Sequence, residues 1–575
     1  MMRQPGASHR SETLAQTAIF GLAAILLFWG LTEKYLWQDE AATAVLAVRM
    51  LKFGRPMAYD GKNLLTIDMQ DEEDDDTIGR RTKDPQAAID YFVEQGNFKR
   101  DTTWKWQPWG LFAIAAVSIE LLGQTTLAAR LPFALAGLAT IPVLFHLVRK
   151  QFGSFQAAAL STVLLVCNTY WILHSRQCRY YSVSSLFLVL TLVAYARWQW
   201  GGRSAAAFIA AAWCWFQVDY GTVLPVLAVL FAEAVLNSVG RVMAVIPRPE
   251  VAALKAVAAV SFLKALLKAL LADKGFRRTV AAGVILGATL APFVYFYDLL
   301  HRGSDSDTTW LERFRQNLFN TNEYVVPALV VLAVLFVLVR NWKSLPIAER
   351  RLVSAACAII FALTLWIPAV TVYAFVRYVI VAAPVGAMLA AWLLMRLLGR
   401  DWKLAWLAAA VLIFTPWLGL PLRPVAPPPE WGEGSVWYRA ELKDLRAEIF
   451  GHWPDPNRLV IDWLRKNAAP TDEILINYED YPLMYYLPNP IRGGIATFRV
   501  EDDAKTPPRF LILRHAADFV HWNVFKREKE RYKWEVVPLK APDMQWGNNP
   551  DPMGNDDPNI APNLEIFRRV DSGGH

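Results

Sequence analysis

Most apolar residues in this chain are gathered into long charge-free blocks. The blocks run at about 13–32, 131–148, 154–175, 180–196, 279–297, 324–339, 352–376, 378–395 and 404–422. They approach the roughly 20 residues that an α-helix needs to cross a hydrocarbon layer about 30 Å thick. A further apolar stretch between Arg203 and Arg241 is interrupted by Asp219, Gly221 and Pro225. It is too long for one crossing and reads as two, with a turn near Asp219. The pattern predicts about eleven membrane-spanning helices. Trp109 to Gly123 is also apolar, but it is short and contains Glu120, so it reads as an amphipathic helix at the outer interface.

Charge placement orients these spans. With Arg3 and Arg10 cytoplasmic, the cytoplasmic loops receive Arg149-Lys150, Arg197 with Arg203, the 241–278 segment, Arg340 to Arg351 and Arg396 to Lys403. The first outer loop (33–130), the 174–181 turn, Asp219-Tyr220, the 298–323 loop, the Val376–Tyr378 turn and everything after about 423 then lie outside. The 251–274 segment places Lys264 and Lys268 among Leu, Val and Ala. It reads either as a basic helix on the anionic cytoplasmic leaflet or as a connector.

Composition agrees with this picture. The 575 residues are 54% hydrophobic and 19% charged, with a mean hydropathy of +0.23. Soluble globular chains carry about 25% charge, so a soluble enzyme and a single-pass anchor are both excluded. The net charge of +7 mostly marks the cytoplasmic loops. Cys167, Cys178, Cys214 and Cys357 lie in or beside apolar blocks without metal-ligand spacing, so neither disulfides nor a cysteine-based zinc site is expected. The stretch Leu14 to Thr32 lacks a small-residue cleavage site after it and reads as a retained helix.

Two domains are expected: a transmembrane domain over 1–422 and a soluble extracytoplasmic α/β domain over 430–575, joined by a linker containing Pro427-Pro428-Pro429. Within the second, Asn457 to Lys466 and Tyr481 to Leu487 read as helices, and Glu473 to Asn477 and Arg509 to Leu513 as strands. Its last 30 or so residues are turn-rich and read as mostly irregular. No inverted repeat of broken helices is seen, which weighs against a transporter.

Candidate chemistry sits at the outer boundary. Asp39 and Glu40 follow the first span directly, where partial desolvation can tune a general base. The bland alternative is a solvated helix end. Arg176 and Arg179, in the turn His174 to Tyr181, oppose the positive-inside bias, as does Arg377 beside Tyr378. Guanidinium groups bind phosphate oxygens bidentately, so these arginines suggest an anionic site, against simple snorkelling to lipid phosphates. The run Asp71 to Asp76 lacks calcium-loop spacing and reads as solvated. The 298–323 loop, with His301, Arg302, Arg313 and Arg315, is amphipathic enough for a lid.

These residues resemble a known family. A first span ending in Trp37-x-Asp39-Glu40 is followed by Leu51, Gly54 and Pro56, and then by Ala129-Arg130-Leu131-Pro132-Phe133 and Gly153. With Arg179-x-Tyr181 and Arg377-Tyr378, the order is similar to that of GT-C glycosyltransferases of the protein-O-mannosyltransferase-like and aminoarabinose-transferase-like group, over roughly residues 13–400. The resemblance implies a mainly α, multi-pass inner-membrane enzyme with its N-terminus cytoplasmic and its C-terminal domain periplasmic. Such an enzyme moves a sugar from a polyprenyl-phosphate donor to a lipid, polysaccharide or protein hydroxyl, inverting the anomeric centre. The alternative is a lipid-linked sugar flippase without chemistry.

The resemblance maps the catalytic acid to Asp39, with Glu40 beside it, and makes Arg179 and Arg377 ligands for the donor phosphate. Arg176, Tyr181 and Tyr378 join them from the same two turns. Many members carry Arg-x-Asp where this chain has Arg179-x-Tyr181, so the role of that second acid is not transferred. Partners are the donor, the acceptor and membrane lipids, with no nucleic acid. No metal ligand is assigned, and a divalent metal stays open because members of the group differ on it.

Overall fold

The computed structural model describes residues 5–65, 90, 93–94, 96, 98–245, 256–300, 309–371, 375–399, 401–415, 445–446, 449–451, 455–493, 508–514, 529–543 and 562–570. The acidic run 71–76, the proline-rich linker and residues 301–308 of the expected lid lie outside them.

Among the described residues, seven helices are long and apolar enough to cross a membrane. These are Arg10–Phe28, Thr126–Phe152, Tyr181–Gln199, Tyr220–Met243, Lys274–Phe296, Ile347–Val370 and Val376–Leu398. Two bent pairs, Phe155–Val166 with Thr169–Ser175 (70°) and Trp310–Val325 with Ala328–Arg340 (79°), raise the count to nine if each makes one crossing. The difference from about eleven lies in length. Ala206–Phe216 and Trp402–Phe414 are helical and apolar but stop short of a full crossing among the described residues, and Trp109–Leu122 is also short.

The chain divides into two compact units. The first comprises Met1–Ala23, Leu138–Trp171 and Val183–Pro427. Side chains at its helix junctions satisfy backbone groups that would otherwise be stranded in an apolar setting. Asp219 caps Tyr220–Met243 by accepting from the amides of Gly221 and Thr222. Asn168, at the first bend, accepts from the Trp171 amide at 2.9 Å and donates to the Tyr324 carbonyl at 2.7 Å. Ile347–Val370 and the segment after Val376 also belong to this unit, with Glu349 accepting from Trp392 Nε1 at 2.6 Å and pairing with Arg396.

The second unit comprises Ala24–Gly137, Ile172–Ser182 and Pro428–His575. Here α1 (Gln38–Phe53) packs on α2 (Trp109–Leu122) and on a short helix of the C-terminal region. Gly54, at φ +73°, ends α1 in the left-handed conformation that glycine adopts without strain. Among its described residues the C-terminal region contains α3 (Pro456–Asn467), α4 (Asp480–Tyr486) and five strands: β1 (Ile474–Ile476), β2 (Ile491–Gly493), β3 (Phe510–Ile512), β4 (Trp534–Pro542) and β5 (Asn563–Arg569). Their order is β2-β1-β3-β5-β4, with β1 parallel to β2 and β3, and β5 antiparallel to β3 and β4.

Val460, Ile461, Leu464, Ile474, Phe510 and Ile566 form the core between helices and sheet. Within the tail expected to be mostly irregular, the described residues contain the strand β5. Leu564 and Ile566 alternate inward from a seven-residue strand, a signal too short to stand out among the surrounding turn residues.

Candidate active site

The site is built from the start of α1. Trp37 is extended (φ −89°, ψ 173°) and the helix begins at Gln38, putting Asp39 and Glu40 in the first turn. Carboxylates are favoured there because the unsatisfied amides carry partial positive charge. Successive helical residues point about 100° apart, so the two acids face different surroundings.

Glu40 turns inward and is fully buried. Arg130 Nε donates to its Oε1 at 2.8 Å and Arg130 Nη2 to its Oε2 at 2.6 Å, while the Cys178 amide donates to Oε1 at 2.8 Å. Arg130 also donates to the carbonyls of Leu31 (2.9 Å), Lys34 (2.8 Å) and Tyr35 (3.1 Å). One buried ion pair therefore fastens the turn that precedes α1 and the turn that contains Cys178. Burial and Glu40 push the Cys178 thiol well above its usual range, leaving it a packing residue without thiolate chemistry.

The Asp39 side chain is 25% exposed, although its Oδ2 is itself buried. Arg179 Nη2 lies 3.6 Å from Asp39 Oδ2, an ion pair longer than a hydrogen bond. Arg179 Nη1 donates to the Asp39 carbonyl at 3.1 Å and to Thr43 Oγ1 at 3.2 Å. The guanidinium is thus held by the first turn of α1 as much as by the carboxylate. Gly137 lets the 172–182 turn come this close: a Cβ there would sit 2.9 Å from Ser175 Cβ.

The other residues expected in that turn do different things. Arg176 donates to the Leu26 carbonyl at 2.8 Å and to the Trp29 carbonyl, capping the end of the helix Arg10–Phe28. Tyr181 is buried, with His174 edge-on to its ring at 5.0 Å and Tyr180 at 4.6 Å. Gln177 is 4% exposed, and neither end of its amide has a hydrogen-bond partner among the described residues.

The structure thus brings Asp39, Glu40, Arg176, Arg179 and Tyr181 together in the second unit. Arg377 and Tyr378 belong to the first, where Arg377 stacks 4.2 Å from the Phe375 ring. Also in the first unit, Arg313 is buried in Trp310–Asn320, a helix packed against Val376–Val379, and its Nε and Nη1 have no hydrogen-bond partner among the described residues. Among the described residues, no group of three or more His, Cys, Asp or Glu could hold a metal ion.

Sequence reasoning missed the contribution of the C-terminal region. Gln38 Nε2 donates to Asp480 Oδ1 at 2.6 Å, and the Tyr481 amide donates to Gln38 Oε1 at 3.3 Å. Glu479, one residue earlier, is 2% exposed. No local pattern marks these acids, which stand more than 400 positions from Gln38 and in sequence look like a helix start.

The fold as a whole is similar to that of ArnT from Cupriavidus metallidurans solved bound to undecaprenyl phosphate, at 13% identity, 99% coverage of each chain and a TM-score of 0.55. ArnT from the same organism in the apo state is similar at 14% identity, 98% coverage of each chain and a TM-score of 0.49. The Archaeoglobus fulgidus oligosaccharyltransferase, solved with zinc and sulfate, is similar at 12% identity over 91% of this chain and 72% of that one, with a TM-score of 0.47. No protein-family model matches the chain, and no curated protein sequence does. The fold shared with undecaprenyl-phosphate-bound ArnT is mainly helical, with several helices long and apolar enough to cross a membrane and a small sheet in the C-terminal region.

Proposed function

We propose that this chain is an integral-membrane glycosyltransferase that moves a sugar from a polyprenyl-phosphate donor to an acceptor hydroxyl on the outer side of the membrane. Asp39 removes the acceptor proton as the oxygen attacks the anomeric carbon. The bond from that carbon to the phosphate oxygen breaks, and the lipid phosphate leaves with the electron pair. Displacement in a single step inverts the anomeric centre, unlike the two-step route of retaining glycosidases.

The observation that carries this reading is the division of labour between adjacent acids. Glu40 is saturated by Arg130 and the Cys178 amide, whereas Asp39 is partly exposed beside a guanidinium at ion-pair distance. A partly exposed carboxylate can accept a proton, and a fixed cation can stabilise charge that develops during transfer. The likeness in fold to a protein solved with undecaprenyl phosphate supports a lipid-phosphate donor. The cation we assign to that phosphate is Arg179, which sits in the same unit as Asp39. Arg176 we assign a capping role.

The test is transfer of labelled sugar by purified protein given a polyprenyl-phosphate sugar and candidate acceptors. Asp39→Asn should abolish turnover while donor binding persists. Full turnover by that variant overturns the assignment of the base. Movement of the labelled lipid between leaflets with no transferred sugar would instead identify a flippase.

A further inference from the structure

The stretch leading into Asp39 is held from the far end of the chain. The Tyr35 amide donates to Asp455 at 2.6 Å and the Leu36 amide to the Tyr486 hydroxyl at 3.2 Å. Asn457 Nδ2 donates to the Leu36 carbonyl at 3.2 Å, and Gln38 is latched at both ends of its amide to Asp480 and Tyr481. All of these partners come from α3, α4 and the residues at their starts.

Glu479 sits at the centre of this seam. Its backbone is left-handed (φ +65°, ψ 35°), a conformation costly for a residue with a Cβ and usually retained where a side chain must be aimed. Its carboxyl accepts from Asn457 Nδ2 at 3.0 Å, the same amide that holds Leu36. Asn457 Oδ1 in turn accepts from Arg514 Nη1 at 2.8 Å, and Arg514 Nε is paired with Asp543 at 2.7 Å. The charge of Arg514 is therefore already matched by Asp543.

We infer that Glu479 is a positioning residue for Asp39, carried to the site by the C-terminal region together with the Gln38 latch. This rests on the reading of Asp39 as the base. The groups that act on Glu479 are Arg514 with its partner Asp543, Asn457 on α3, Asp480 on α4, and Asp39 on α1. Burial pushes its carboxyl up to about 8, with Asp480 and Asp39 adding to the rise and Arg514 and the Asn457 hydrogen bond opposing it. At neutral pH it is therefore mostly protonated and adds little charge to the seam that holds the stretch before Asp39. Once ionised, it puts a second negative charge near the base, which repels an anionic lipid phosphate and the charge that grows on it as it leaves.

The experiment uses the full-length protein in lipid nanodiscs. Turnover is measured against pH, each profile normalised to its own maximum. The wild-type rate should fall about tenfold from pH 7 to pH 9, as expected of one ionising group. Glu479→Gln should lose this basic limb and Glu479→Asp should keep it. An unchanged limb in Glu479→Gln overturns the proposal. So does failure of Glu479→Gln to fold, because glutamine copies the protonated acid.

A second readout needs no turnover. The difference in unfolding midpoint between wild type and Glu479→Gln should titrate between pH 5 and 8, and Asp39→Asn should move that titration to lower pH. A pH-independent difference, or no movement with Asp39→Asn, overturns the coupling. Absence of any transfer by wild type, with the titration and its movement intact, would sink the glycosyltransferase reading and leave the coupling of the two acids standing.

Discussion

Arg130 grips both carboxylate oxygens of Glu40, at 2.8 and 2.6 Å, where the two side chains are 9% and 0% exposed. Removing one member of such a pair strands the other charge in the interior, a loss of about 3–5 kcal/mol. Glu40→Ala and Arg130→Ala should therefore lower the unfolding midpoint strongly, while Asp39→Asn should hardly move it. Thermal unfolding of the three variants side by side checks this. Equal effects of Glu40→Ala and Asp39→Asn would show that the two acids share one role.

Arg179 reaches the site by a different logic. Its guanidinium bridges the Asp39 carbonyl and the Thr43 hydroxyl, with the carboxylate farther off at 3.6 Å. Lysine keeps the charge but cannot present several donors in a fixed plane. Arg179→Lys should fold normally, bind the donor with modestly reduced affinity, and lose turnover by about 100-fold, the scale of losing one preorganised donor. A variant with wild-type turnover would relegate Arg179 to packing.

How much of this could be read beforehand follows from which contacts are local. The apolar blocks carried the membrane helices because burial in lipid leaves a direct compositional trace. The short α3 and β1 stood out through their own periodicity. Asp39 and Glu40 stood out as a pair, but their roles are separated by Arg130, 90 positions on, and by the Cys178 amide, a backbone donor with no side-chain signature. Arg176 looked equivalent to Arg179 because the carbonyls of Leu26 and Trp29 that it caps are equally invisible in a sequence. Glu479 and Asp480 were hidden for the same reason, since their significance lies in a pairing across the chain.

Asp60 supplies a pH test away from the chemistry. Burial alone would raise its carboxyl, but Arg49 and the amides of Asn63 and Lys62 outweigh that and hold it below the usual carboxylate range. A depressed acid stabilises the fold above its unfolded value, and that contribution is lost as pH falls through the folded one. Arg49 also donates to the carbonyls of Ala58 and Asn63, so the loop from Met57 to Leu65 should loosen first as the solution becomes acidic below about pH 4. Hydrogen exchange of that loop should accelerate in wild type over this window. Asp60→Asn should exchange faster at neutral pH and show little further change on acidification. Equal acid sensitivity in both proteins would assign the opening to another carboxylate.

The Gln38–Asp480 latch predicts an energetic coupling between residues 442 positions apart in the chain. A hydrogen bond to a charged group contributes about 1.5–3 kcal/mol. In a double-mutant cycle, Gln38→Ala and Asp480→Ala should each destabilise the protein, and the double variant should cost less than the sum of the two. Because Gln38 immediately precedes Asp39, both single variants should also lower turnover while leaving donor affinity nearly unchanged. This is the signature of a base that is present but poorly aimed. Additive stability losses would mean that the two side chains do not act on each other. Coupled losses with unaltered turnover would make the latch a purely structural tie of the C-terminal region, with no influence on Asp39.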